Sequence, residues 1–224
     1  MRAQYGESQT RGRAMIVVHH LNSSRSQRIL WLLEELGLPY EIEFHTRDAE
    51  TTGSLPELKA LHPLASSPII TDGEKAVTES SAIINYVIRR HGGGRLQPAM
   101  SDPAYDEYVF WMHYSESSAI QPLVLKLHAA RTGAGAGPIE AQIERELAKD
   151  LGYINGCLEG RDYLLGRELS GADIQLSFAG ELAGRWTDRS KYPNLEAWVQ
   201  RFQRRAAYVA AIQRGGAYSF AEKW

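Results

Sequence analysis

Hydrophobic positions along the first ninety residues change period several times. Residues 15–21 (MIVVHHL) form a short β-branched run, the signature of a strand. The polar triplet Asn22-Ser23-Ser24 follows, and Ile29, Leu32, Leu33 and Leu36 then recur at helical spacing until Gly37 supplies a stop. Residues 39–45 (PYEIEFH) alternate like a strand. Ser54-x-x-Glu57 resembles a capping box opening a short helix through Leu61. Residues 69–71 and 76–78 flank a turn at Asp72-Gly73, a hairpin signal, and residues 80–90 read as a helix. The order βαβ, α, ββ, α fits few compact arrangements, and a right-handed crossover feeding an antiparallel hairpin predicts an α/β thioredoxin-like domain over residues 15–92.

Gly92-Gly93-Gly94 and the stretch to residue 102 break all periodicity, so residues 93–102 read as a linker. Residues 103–224 carry only helical patterns and predict an all-α C-terminal bundle. Asp102 before Pro103 is a good cap for a helix running toward Arg131, with a bend expected at Pro122. The GAGAGP stretch at 133–138 interrupts it. Further helices are expected over 139–158, from Ser170 with Ser170-x-x-Asp173 as capping box and Leu169 against Ile174 as staple, over 194–206 after Pro193, and over 208–214.

Composition narrows the function. Apolar residues at 43% and charged residues at 23% are ordinary for a globular chain of 224 residues. The balance of 25 Lys plus Arg against 27 Asp plus Glu leaves a net charge of -2, which disfavours nucleic acid as a partner. No apolar run approaches the roughly 20 residues that span a bilayer, so no membrane partner is expected. Cys157 is the single cysteine, which suits a reducing, cytoplasmic setting and leaves no metal cluster or dithiol; it reads as a buried apolar residue without a chemical role. His19 and His20 face opposite ways on a strand, neither has an evident metal partner, and no metal is expected. Residues 1–14 read as a flexible extension.

Three motifs carry a resemblance. Ser67-Pro68-Ile69-Ile70 with Asp72-Gly73 and Glu79-Ser80-Ser81-Ala82-Ile83 is similar to the glutathione site of the glutathione transferases. Leu164-Leu165-Gly166 through Ser170-Gly171-Ala172-Asp173-Ile174 resembles that family's folding motif, and Tyr192-Pro193-Asn194-Leu195 with Trp198 and Arg201 resembles its late helix. Residues 19–40 and His62-Pro63-Leu64 are most similar to a branch found in fungi and bacteria. The resemblance implies the glutathione transferase fold, glutathione as co-substrate, a cytosolic detoxifying transferase, and a homodimer.

It also implies roles for residues. Ser80 and the free N–H groups of its helix suit the γ-glutamyl carboxylate, and Glu79 suits the neighbouring ammonium; taken without the resemblance, the pair would be a plain helix cap. Ser67-Pro68 is expected to be cis, freeing Ser67 backbone groups for the cysteinyl unit. The candidates to donate to the thiolate are Asn22, Ser23 and Ser24. Counting back from Gly37 matches Ser23 to the catalytic serine of serine-type relatives, the alternative being that Ser23 and Ser24 merely cap the helix. Ala65-Ser66 stands where relatives often carry Lys, His or Gln for the glycyl carboxylate, so Ser66 is the nearest polar group, and Arg205-Ala206-Ala207 replaces the usual Arg-Pro-Ala. Tyr114, Ser118 and Gln121, at i, i+4 and i+7, are expected to face the first domain and line a pocket for an apolar electrophile. Tyr108, Phe110 and Trp111 read instead as core or dimer interface. The expected chemistry is thiolate attack on an electrophilic carbon or a hydroperoxide oxygen; the competing class is a transferase-like binding or regulatory module.

Overall fold

The computed structural model describes residues 15–46, 56–132 and 137–221. The extension at 1–14, the cap Ser54 and residues 133–136 of the glycine-rich stretch lie outside them.

Strands β1 (Ile16–Leu21), β2 (Tyr40–His45), β3 (Ile69–Asp72) and β4 (Lys75–Thr78) form one sheet in the order β2-β1-β3-β4. β1 runs parallel to β2 across helix α1 (Ser26–Leu36), while β3 is antiparallel to both β1 and β4. A two-residue loop, Gly73-Glu74, joins Asp72 to its partner Lys75, and Gly73 takes φ 61° as such a turn requires. Helix α2 (Ser80–Arg90) closes this α/β part. A 3₁₀ turn over Pro56–Ala60 stands where the sequence predicts a short helix, and it sets Leu58 into the core at 1% exposure.

The helical part comprises α3 (Ala104–Tyr114), α4 (Gln121–Thr132), α5 (Glu140–Cys157), α6 (Gly171–Ala183), α7 (Pro193–Gln203) and α8 (Ala206–Gly215). Among the described residues no helix is long and apolar enough to cross a membrane. The single helix expected to bend at Pro122 is two helices joined by a π-helical turn, Ser115–Ala119. Proline has no N–H for the preceding turn and its ring crowds the carbonyl four residues back, so the chain upstream widens. The helix expected over 194–206 stops at Gln203. Arg205 leaves helical geometry (φ -67°, ψ 137°) and grips Glu35 of α1 through Nε at 2.5 Å and Nη2 at 2.9 Å.

Helix α1 carries more than an amphipathic stripe. Ile29, Leu30, Trp31, Leu32 and Leu33 are all fully buried, because the sheet covers one face and α6 and α8 cover the other. Trp31 stacks on Phe202 of α7 with centroids 5.2 Å apart and meets Tyr208 of α8 edge-on at 5.5 Å. The two parts of the chain thus share one apolar core, and α1 is its centre. Cys157, expected inside, is only half-buried and packs against the edge of that core at the end of α5. The close fit needs Gly171 at the start of α6: a Cβ there would lie 2.9 Å from Ile88 Cδ1 and 3.0 Å from Tyr108 Oη.

The expected capping box is present: Ser170 Oγ and main-chain N–H both reach Asp173, at 2.7 and 2.9 Å. Leu169 and Ile174 on either side of it are buried.

Candidate glutathione site

Sheet topology brings three loops to one edge. β1 ends where β3 begins and where β4 ends, so residues 22–24, 67–68 and 79–80 all emerge on the same side. The junction of β1 and α1 is pinned by Ser26. Its buried Oγ accepts from Leu21 N–H at 3.1 Å and lies 2.9 Å from His20 Nδ1 and 2.8 Å from Ser24 Oγ. Ser24 accepts from Ser26 N–H at 3.1 Å, satisfying one of the free donors at the start of α1. The same hydroxyl sits 3.3 Å from Ser67 Oγ, next to a Ser67–Pro68 bond that is cis, as the resemblance implies. Pro68 is buried, and its carbonyl accepts from Thr78 Oγ1 at 3.2 Å, tying the proline turn to β4.

Ser23 is half-buried at φ 49°, and its Oγ accepts from Ser219 N–H at 3.1 Å and lies 2.9 Å from Ser219 Oγ. The C-terminal segment therefore folds over the first loop, a contact that no local pattern in the sequence signals. Tyr218 donates to Glu181 of α6 at 2.5 Å, and Phe220 meets Phe178 of α6 edge-on at 5.4 Å. Asn22 and Ser66 are exposed at the rim.

Glu79 is exposed and takes φ 68°, ψ 119°, a strained backbone for a residue with a Cβ. Such outliers persist where surroundings over-determine them, and they concentrate at binding sites. Ser80 beside it is buried and accepts from Arg28 Nη2 at 2.7 Å. Arg28 also donates to the Gln175 carbonyl of α6 and to Glu116 Oε1 in the π turn, while Arg25 Nε sits 3.0 Å from Glu116 Oε2. Burial alone would raise the Glu116 carboxyl, but Arg28 and Arg25 outweigh it and hold the group below its ordinary value. This cation is the site component that sequence reasoning missed. A signal existed, since Arg28 falls on the Leu32, Leu36 stripe at i, i+4 and i+8, where a charge must find a partner.

His19 and His20 diverge as strand alternation demands. His20 faces α1, is 1% exposed, and burial pushes its pKa down to about 4, opposed in part by the main chain of Gly215. The folded-state value lies below the unfolded 6.5, so the unfolded chain takes up the proton first. Stability from the neutral ring is complete above about pH 7 and is lost as pH falls from 6.5 through about 4. Thermal or urea unfolding at pH 7 and pH 4 should show the pH-dependent loss shrinking by about 2–3 kcal/mol in His20→Asn; an unchanged difference would remove this assignment. His19 faces the other side, toward Glu43 and His45 of β2.

The expected electrophile wall takes a different form. Tyr114 donates to Asp150 of α5 at 2.9 Å, and its ring stacks on Phe110 at 5.2 Å. Ser118 and Gln121 line a cavity of about 340 Å³ with Leu125, Ile143 and Asp150, and its described lining comes entirely from the helical part. The expectation that these three face the first domain is corrected. All three turn toward α5 instead, since Asp150, which Tyr114 holds, lines the same cavity as Ser118 and Gln121.

Known proteins share this architecture. The family described as "Glutathione S-transferase, N-terminal domain" matches residues 13–89, and "Glutathione S-transferase, C-terminal domain" matches residues 138–206. The chain is 32% identical over 217 residues to glutathione S-transferase 3 of Schizosaccharomyces pombe, covering 89% of this chain and 88% of that one. It is 27% identical to glutathione S-transferase 1 of Saccharomyces cerevisiae over 91% of this chain and 96% of that one. Among solved structures, a glutathione S-transferase from Actinobacillus pleuropneumoniae superposes with a TM-score of 0.82 at 31% identity, over 93% of this chain and 96% of the other. The sheet edge, the capping box of α6 and these likenesses agree, and the chain belongs to the glutathione S-transferase family.

Proposed function

We propose that this transferase binds glutathione along the sheet edge, lowers its thiol pKa, and directs the thiolate at an electrophilic carbon, or at a hydroperoxide oxygen, of an apolar substrate. The observation that carries the reading is the meeting of the Ser23-Ser24 loop, the cis Ser67–Pro68 turn and Glu79-Ser80 at one edge, with Ser24 and Ser67 hydroxyls 3.3 Å apart. Ser80 and the α2 N-terminus receive the γ-glutamyl carboxylate, Glu79 accepts from its ammonium, Ser67 pairs with the cysteinyl backbone, and the α1 N-terminus with the Ser23 hydroxyl stabilises the thiolate. Ser24 already caps α1, which supports Ser23 as the thiolate donor, with Ser219 as its resting partner. Asn22 and Ser66 border the tripeptide at the rim. The acceptor enters from the helical side. Lowering a thiol pKa by about two units takes about 2.7 kcal/mol of differential stabilisation, within reach of one hydroxyl and a helix terminus. Assembly as a homodimer and a cytoplasmic detoxifying role complete the proposal; the half-exposed rings of Phe110 and Tyr153 offer an apolar contact face for the second copy.

The test is conjugation of glutathione to an activated aryl halide. Ser23→Ala is expected to lower kcat about 10²–10³-fold with little change in KM. Glu79→Ala is expected to raise the KM for glutathione about 10-fold or more through a lost charge-assisted contact. Full activity in Ser23→Ala would move the thiolate donor elsewhere in the loop. Full affinity in Glu79→Ala would remove the γ-glutamyl assignment.

A further inference from the structure

We propose that His19, Glu43 and His45 form a binding site for one borderline divalent metal ion, with Zn²⁺ as the best match. Among the described residues this is the one group of three His, Cys, Asp or Glu side chains whose donor atoms converge. His19 Nδ1 lies 3.2 Å from His45 Nε2 and 3.4 Å from Glu43 Oε2, and His45 Nε2 lies 3.8 Å from Glu43 Oε1. Two nitrogens and an oxygen held about 2.0–2.2 Å from a tetrahedral centre must stand about 3.3–3.5 Å apart. The two nitrogens already stand close to that spacing, and Glu43, which faces His19 with Oε2 and His45 with Oε1, brings one oxygen to both by a small turn of its exposed side chain.

Parallel strand pairing builds the triangle. The register sets His19 opposite Glu43 and Leu21 opposite His45, so all three ligands project from one face of β1 and β2 at alternate positions. The frame is hydrogen-bonded sheet rather than loop, which suits a preorganised site. Two imidazole lone pairs and a carboxylate aimed at one point repel unless something positive lies between them. A shared proton satisfies one pair of these atoms; a divalent cation satisfies all three. Two histidines and one carboxylate make a borderline donor set with no soft sulfur, which favours Zn²⁺ over Ca²⁺ or Mg²⁺. Thr71 of β3 supports it: its Oγ1 lies 3.4 Å from His19 Nε2 and can accept from that nitrogen when Nδ1 holds the metal. The side chain of Glu43 is 58% exposed against 4% for His19, so the fourth position opens to water. A metal there ties β1 to β2 two residues before β1 passes into the Asn22-Ser23-Ser24 loop.

The partner that His19 lacks in its own sequence neighbourhood is His45, 26 residues away, and only the β1–β2 register brings it close.

The experiment uses the full, untagged chain, stripped with a chelator and dialysed. Calorimetric titration with Zn²⁺ and visible absorption with Co²⁺ are expected to give one equivalent per chain and tetrahedral Co²⁺ bands, and saturating Zn²⁺ should raise Tm by several degrees. His45→Ala should weaken binding about 30-fold or more and Glu43→Gln about 10-fold; His128→Ala and Cys157→Ser should leave it unchanged. His19→Ala and His45→Ala each remove a largely buried ring and are read beside their own unfolding curves, while Glu43, with its side chain 58% exposed, reports without one. No binding up to about 1 mM metal, equal affinity in wild type, His45→Ala and Glu43→Gln, or loss of binding in Cys157→Ser would each overturn the site.

Discussion

Replacing Asp173 by alanine is expected to lower the unfolding free energy by about 3–5 kcal/mol, near the top of the range for a single substitution. The carboxylate has no solvent exposure and accepts from Leu164 N–H at 2.8 Å, Ser170 N–H at 2.9 Å, Ser170 Oγ at 2.7 Å and Trp198 Nε1 at 2.9 Å. Burial pushes its pKa up, and these donors pull it back toward the charged form. With the side chain gone, two main-chain N–H groups and an indole N–H stay buried without acceptors, each costing about 1–3 kcal/mol, offset by the relief of a buried charge. The damage spreads because every residue of α6 is buried and the helix packs on α1, α2, α3 and α7. Asn is not expected to rescue, since its amide would turn N–H groups toward donors. Urea unfolding measures the effect; a midpoint shift worth under about 1 kcal/mol would mean that water replaces the lost acceptor.

The Glu116→Gln variant should lose about 2–4 kcal/mol of stability and should also bind glutathione more weakly. Its partner Arg28 has a side chain only 2% exposed, so removing the carboxylate charge leaves a buried cation short of compensation. The 31% exposure of the Glu116 side chain keeps the loss at the lower end of the range for buried pairs. The functional part follows from Arg28 Nη2, which holds the Ser80 hydroxyl at 2.7 Å. A guanidinium that shifts to seek a new acceptor carries Ser80 with it, so the KM for glutathione should rise several-fold while kcat changes less. The pH dependence has a definite sign. Glu116 has its folded-state value below the ordinary 4.5, so its contribution is present above that value and fades as pH falls through the lower folded one. Wild type and variant should converge in acid and differ most near neutrality. A constant gap down to pH 3 would exclude the ion pair as the cause.

Signals confined to a few neighbouring residues are legible in the chain itself. Gly37 ends α1 at φ 61°, Gly73 turns the hairpin, and Ser170 with Asp173 caps α6. Each reflects what the local backbone demands of a residue type, so the order of elements, the fold class and the position of Glu79-Ser80 can be read from the chain. The strained φ of Glu79 is not visible that way, because nothing in the residue type announces it.

Which distant groups meet is a matter of packing. Arg28 and Glu116 are 88 residues apart, Ser23 and Ser219 are 196 apart, and His19 and His45 meet only through the parallel register of β1 and β2. Tyr114 meets Asp150, 36 residues away, only because α5 packs beside the end of α3. The elements and their order are written in the amino-acid order, since they follow from propensity, patterning and caps acting over one or two turns, whereas the candidate glutathione edge is legible only through the resemblance of its motifs to a known family. Partners for buried charges and the shape of the acceptor pocket come from the folded molecule, because strand register and helix crossing are settled by the whole core at once and leave no local trace.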